Sequence, residues 1–124
     1  MSKVKAVVLA AALIAVSAPA WAGGATGVWL RTDGKTKVKF SHCGGALCGV
    51  VVWLRDKDSP AHVGQRVFYD MKPAGDNEWR GSAFNPDDGH TYSGKMTLSG
   101  GSLTTAGCVL GGLICKSYAW SRAN

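Results

Sequence analysis

The chain has 124 residues, with 14 lysine and arginine side chains against 8 aspartate and glutamate, 17 glycines, 4 cysteines and 5 tryptophans. That length suits one domain and argues against two. Glycine costs about 1 kcal/mol at each helix-interior position, so a chain this rich in it is not predominantly helical.

In chain order, the first predicted element is a leader. Lys3 and Lys5 precede a 13-residue apolar run, Ala6 to Ala18, broken only by Ser17, and Ala20-Trp21-Ala22 follows before Gly23. A basic start, a short apolar core and an A-x-A site make the pattern of a secretory signal peptide over residues 1–22, cleaved after Ala22. A membrane anchor needs about 20 apolar residues, so the processed protein is expected not to be transmembrane. Residues 23–124 are then one exported domain, periplasmic or secreted. They keep all 17 glycines, 12 of the 14 basic residues and all 8 acidic ones, a net charge of +4.

From Gly27 onward, short β-rich runs alternate with Gly, Asp, Asn and Pro. The spacing predicts strands over 28–32, 36–42, 47–55, 66–72, 78–84, 91–98, 102–109 and 113–122, joined mostly by short hairpins. The second run sets Lys35, Lys37 and Lys39 against Val38 and Phe40. The sixth sets Tyr92, Gly94, Met96 and Leu98 against Thr91, Ser93, Lys95 and Thr97. Period two, with one wet and one dry face, is the antiparallel pattern. Asp33-Gly34, Asn85-Pro86-Asp87-Asp88-Gly89 and Gly100-Gly101 supply turn chemistry. The longest irregular stretch, Asp56 to Gln65, reads as a surface loop in preference to a lid. With no helix to cover it, such a sheet buries its apolar face by closing into a barrel or folding into a sandwich. Gly81, Gly94 and Gly107, expected inward beside Trp79, Tyr92 and Leu103, favour the barrel, because inward glycines permit sharp coiling or leave space inside. The expected fold is a small, all-β, up-and-down antiparallel barrel of eight strands.

Four cysteines in a small exported domain are expected as disulfides. Cys43 and Cys48 bracket Gly44-Gly45, and Cys108 and Cys115 bracket Gly111-Gly112, so the local pairing sets each bridge across a hairpin neck. Each closed loop restricts the unfolded chain by about 2 kcal/mol in the entropy model. In a meander these two turns lie at opposite ends, a strand length of roughly 20 Å apart, and a disulfide needs Cα atoms within about 7 Å. Crossed pairing is excluded if the meander holds. C-x4-C with C-x6-C is an unusual zinc pattern, and there is no C-x-x-C redox motif.

Gly27-Val28-Trp29 opens the first strand and Trp120-Ser121-Arg122 closes the last. In a closed barrel these strands are neighbours, so Arg122 is expected over the Trp29 ring as a structural cation–π closure. This layout resembles lipocalins and related calycin barrels. A closer resemblance runs through Gly27-x-Trp29, Val38-x-Phe40, Cys43-Gly44-Gly45, Leu47-Cys48-Gly49, Trp53-Leu54, Trp79-x-Gly81, Asn85-Pro86-Asp87-Asp88-Gly89-x-x-Tyr92, Gly107-Cys108 and Trp120-x-Arg122. In that order they are similar to the bacterial family called domain of unknown function 2147. The resemblance covers nearly all of residues 23–124 and implies an exported, lipocalin-like barrel, with no established activity. One departure concerns the segment after the third strand, longer in many members and here cut to Asp56-Lys57-Asp58-Ser59-Pro60.

No convergent catalytic set emerges, and the chain is not expected to be an enzyme or to hold a cofactor. His42, His62 and His90 are scattered, and no serine or cysteine nucleophile has a partner arrangement. Asp87, Asp88 and His90 match no calcium loop and read as a turn, so no metal is expected. A charge of +4 on an exported domain gives no case for nucleic acid. The lysine stripe reads as a solvated face, with an anionic lipid surface as its functional alternative. Two function classes stand. In one, Val38, Phe40, Trp79, Tyr92 and Met96 line an interior that holds a small apolar or amphipathic molecule, against a barrel filled by its own side chains. In the other, the chain is an envelope protein-interaction or inhibitor module acting through its outer face and loops, because strand three is apolar on both faces, Val50, Val52 and Leu54 against Val51 and Trp53.

Overall fold

The computed structural model describes residues 24–123; the expected leader lies outside them. Eight strands follow one another: β1 (Gly27–Arg31), β2 (Thr36–Cys43), β3 (Ala46–Leu54), β4 (Arg66–Gly75), β5 (Glu78–Asn85), β6 (His90–Ser99), β7 (Ser102–Val109) and β8 (Ile114–Arg122). Each pairs antiparallel with the next, and β1 closes on β8 through Trp29 opposite Arg122, Leu30 opposite Ser121 and Arg31 opposite Trp120. The sheet is therefore the expected closed up-and-down barrel, with its elements within a few residues of the expected bounds. β4 departs most, running through Pro73 to Gly75. Proline is tolerated there because the register against β5 is irregular between Pro73 and Gly75.

Alternation puts Trp29, Val38, Phe40, Val51, Met71, Met96 and Leu103 on the inside, each fully buried. Phe40 meets Phe68 at 5.1 Å between ring centroids, and Phe68 meets Trp120 edge-on at 6.4 Å. Two of the buried indole N–H groups donate within the barrel, Trp29 to the Ala25 carbonyl and Trp120 to the Thr105 hydroxyl, each at 2.9 Å. An unpaired indole here would cost about 1–3 kcal/mol.

Of the register irregularities that shape the barrel, two decide which way side chains face. In β3, Lys37 pairs with Trp53 but Val38 with Val51, which leaves Val52 unmatched. Strict alternation puts Val51 and Trp53 on one face; the bulge separates them, so Val51 is buried while Val52 and Trp53 are exposed. In β4, Asp70 and Met71 together face Gly81, between the pairs Tyr69–Ser82 and Lys72–Arg80, and Asp70 takes a φ of 48°. A Cβ on Gly81 would lie 2.4 Å from the Asp70 carbonyl oxygen. Gly81, Gly94 and Gly107 face one another across β5, β6 and β7. At Gly81 the room left by the missing side chain is filled by the β4 backbone.

Both local disulfides are present, Cys43–Cys48 with Cα atoms 5.9 Å apart and Cys108–Cys115 at 4.1 Å. They staple the β2–β3 and β7–β8 hairpins at opposite ends. Arg122 sits over the Trp29 ring, 4.2 Å from guanidinium carbon to centroid, and also donates to the carbonyls of Thr26 and Gly24. Barrel closure and the fixing of the chain before β1 thus share one side chain.

Candidate functional site

The end of the barrel that carries the β1–β2, β3–β4, β5–β6 and β7–β8 connections is open. A cavity of about 470 Å³ enters the interior there, within the range of small-molecule sites. Its apolar wall includes Val38, Val51, Val67, Phe68, Ala83 and Trp120. The opposite end is closed by packed side chains around Trp29, with Ala25, Met71, Met96 and Leu103 in the same core. The barrel is thus filled below and hollow above.

The rim is polar. Arg31 stacks on Tyr118, 4.6 Å from its ring centre, and pairs with Asp33 at 3.0 Å. Partial desolvation raises the Asp33 carboxyl, but the Arg31 hydrogen bond, the Lys35 backbone N–H and both charges outweigh it and hold it below the usual carboxylate range. Across the mouth, the β5–β6 turn adopts the hydrogen bonding its sequence dictates. Asn85 accepts from the Asp87 backbone N–H and Asp88 from that of His90, both at 2.9 Å, and Gly89 takes a φ of 72°. The other Asp88 oxygen accepts from the Tyr92 hydroxyl. That bond, with the His90 N–H, holds Asp88 below its ordinary pKa and raises the Tyr92 hydroxyl above its own. Lys116, from β8, completes the charged rim.

Of the five residues expected to line the interior, Val38 and Tyr92 border the cavity. Phe40, Trp79 and Met96 do not; they pack among the buried residues of the core. Strand parity assigns a side chain to a face but says nothing of its height along the barrel axis, and height separates these two groups. Val67 and Phe68 of β4, Thr105 and Trp120 were missed. Thr105 and Trp120 carry the same period-two signal as their neighbours, whereas the β4 bulge obscures it around Phe68. Ser59 and Ala61 also border the cavity, so the segment read as a surface loop contributes to the mouth.

His42, His62 and His90 are exposed on three separate segments. Among the described residues no group of three or more histidine, cysteine or carboxylate side chains is placed to hold a metal ion. Among them, too, no helix is long and apolar enough to cross a membrane.

A solved structure described as protein HP1028 from the human pathogen Helicobacter pylori, belonging to the lipocalin family, superposes with a TM-score of 0.65 at 17% identity, covering 81% of this chain and 83% of that one. At that identity the likeness is one of fold. No curated protein matches the chain. The profile of a family described as an uncharacterized protein conserved in bacteria, DUF2147, matches residues 27–122. That span takes in all eight strands, from the opening G-x-W to the closing W-x-R, and the chain belongs to the DUF2147 family.

Proposed function

We propose that this protein is an exported binder of a small apolar or amphipathic molecule, held in the open end of the barrel. The observation that carries the reading is the cavity of about 470 Å³ with an apolar wall beneath a polar rim. An apolar chain or ring gains about 25 cal/mol per Å² on leaving water for such a wall. A polar head left at the mouth meets Arg31, Lys116 and the Asp88–Tyr92 pair, so neither part of the ligand is buried without a partner. The basic, apolar and A-x-A pattern of residues 1–22 and the two disulfides support export. No step of this reading needs catalysis, a cofactor or nucleic acid.

Native mass spectrometry of the oxidised protein purified from its own envelope, followed by organic extraction, tests it. A co-purifying small molecule released on unfolding, or saturable uptake of a fluorescent fatty acid by the apo protein, is the expected result. Ala83→Trp, which fills the cavity from β5, should abolish uptake while both disulfides still form. A protein that stays apo in lipid extract, or an Ala83→Trp variant that binds unchanged, overturns the reading.

A second reading rests on Trp53, which is 38% exposed beside Val52 at 37%. Lys37 lies over its ring, 5.2 Å from the centroid. An outward tryptophan with a cation on its face suits an envelope protein partner. Trp53→Ser should then abolish partner capture without lowering the melting temperature, and a large loss of stability would place Trp53 in the core instead.

A further inference from the structure

The β7–β8 connection has no part in the barrel core, yet it is the most apolar surface of the described residues. Val109, Leu110, Leu113 and Ile114 are 39, 67, 84 and 58% exposed. These four, within six consecutive residues, are half of the large exposed apolar side chains described, and such clustering is not the scattered exposure of an ordinary surface. The tip is also rigid. Cys108–Cys115 staples its neck, Val109 pairs with Ile114, and the Leu113 N–H donates to the Leu110 carbonyl at 3.3 Å. Leu110 takes a φ of 54°, a left-handed conformation that favours glycine or asparagine. A large apolar side chain held there in water contributes nothing to folding that those residues would not.

We propose that this tip docks the protein on a lipid bilayer. Val109, Leu110, Leu113 and Ile114 enter the boundary between headgroups and acyl chains, and Lys116 lies at headgroup level. Three features select a bilayer over a protein groove. The four side chains sit on the turn of a hairpin, and acyl chains mould around such a turn without a preformed pocket. The barrel is closed, so neither flanking strand offers a free edge for strand addition. Residues 109–115 carry no charge and Lys116 follows directly, an order that suits an interface attractive to cations and apolar groups together. Val109, Ile114, Cys115 and Lys116 also border the cavity. Docking would therefore bring the mouth against the medium in which an apolar ligand dissolves. That purpose rests on the binding reading above; the docking itself does not.

Flotation of the full oxidised protein with phosphatidylcholine vesicles, with and without roughly a third phosphatidylglycerol, tests the inference. Wild type should float, more strongly with the anionic lipid. Leu110→Ser/Leu113→Ser should lower the partition coefficient by roughly tenfold or more, and Lys116→Glu should remove the preference for anionic lipid. Uptake of a fluorescent fatty acid from vesicle-free solution should be unchanged in the double variant, so failure of docking and failure of ligand binding are read apart. The Leu113→Trp variant should show emission quenched by lipids brominated on the acyl chain. Any of three results overturns the inference: wild type that does not float, a double variant that floats as well as wild type, or Leu113→Trp emission that brominated lipid leaves unquenched. Tip-dependent dimers in lipid-free sedimentation, without flotation, would assign the patch to a second copy of the chain instead.

Discussion

Removing the Arg122 guanidinium should weaken the closed end of the barrel and leave the open end working. In wild type the guanidinium carbon lies 4.2 Å from the centre of a fully buried Trp29 ring, a contact worth about 0.5–1 kcal/mol for an exposed cation. The same group donates to the Thr26 and Gly24 carbonyls. Because Arg122 itself is exposed, each of these bonds contributes about 0.5 kcal/mol, well below the value of a buried charged bond. Arg122→Ala should therefore cost about 1.5–2 kcal/mol. For a domain of this size each kcal/mol moves the melting temperature by about 4–8 °C, so the expected drop is roughly 6–16 °C by differential scanning calorimetry. Arg122→Lys keeps a cation over the ring but loses the fork that spans two carbonyls, and should recover about half. Arg122 does not border the cavity, so affinity for a fluorescent fatty acid should stay within about twofold for Arg122→Ala once the protein is folded. A drop under about 3 °C, or a loss of affinity that tracks the loss of stability, would refute the assignment of Arg122 to closure.

The inward glycines should respond in graded fashion. Gly81→Ala, whose Cβ would lie 2.4 Å from a backbone oxygen, should cost about 3 kcal/mol or prevent closure. Gly107→Ala meets only the Tyr92 side chain, with its Cβ at 3.3 Å, and should cost under about 1 kcal/mol by urea denaturation; equal costs would refute the account of the β4 bulge. Replacing Cys43 and Cys48 together by serine should cost about 2 kcal/mol with fatty-acid affinity intact, since that bridge lies at the closed end, whereas the Cys108/Cys115 pair should lose both stability and affinity. Tyr92→Phe should return the Asp88 carboxyl upward toward its ordinary pKa in a carboxyl NMR titration. Because the folded-state value is depressed, the stabilisation from this pair is present above the unfolded carboxylate pKa and vanishes as pH falls through the folded one. The thermal gap between wild type and Tyr92→Phe should accordingly narrow in acid; a gap independent of pH would separate the two groups.

Much of this architecture was legible from the amino-acid order, because it rests on local rules. Period two in Val38–Phe40 and Tyr92–Leu98 gives strand and face, Asp33-Gly34 and Asn85 to Gly89 give the turns, and the glycine pairs inside each cysteine pair give the disulfides. Eight such strands without a helix leave few ways to bury an apolar face, so closure and the meeting of Trp29 with Arg122 follow as well. The site was less legible. Parity put Val38, Phe40, Trp79, Tyr92 and Met96 on inner faces alike, but their height along the axis depends on strand tilt and stagger, which belong to the closed sheet as a whole. The bulges at Val52 and at Asp70–Met71 are likewise set by pairing with β2 and β5, and no local signal announces them. Outside the bulges, which residues face inward and where the chain reverses could be read from the order of residues alone, since both are decided within a few bonds. That the lower barrel is packed and the upper barrel hollow emerged with the closed sheet, because that balance is struck among side chains from all eight strands at once.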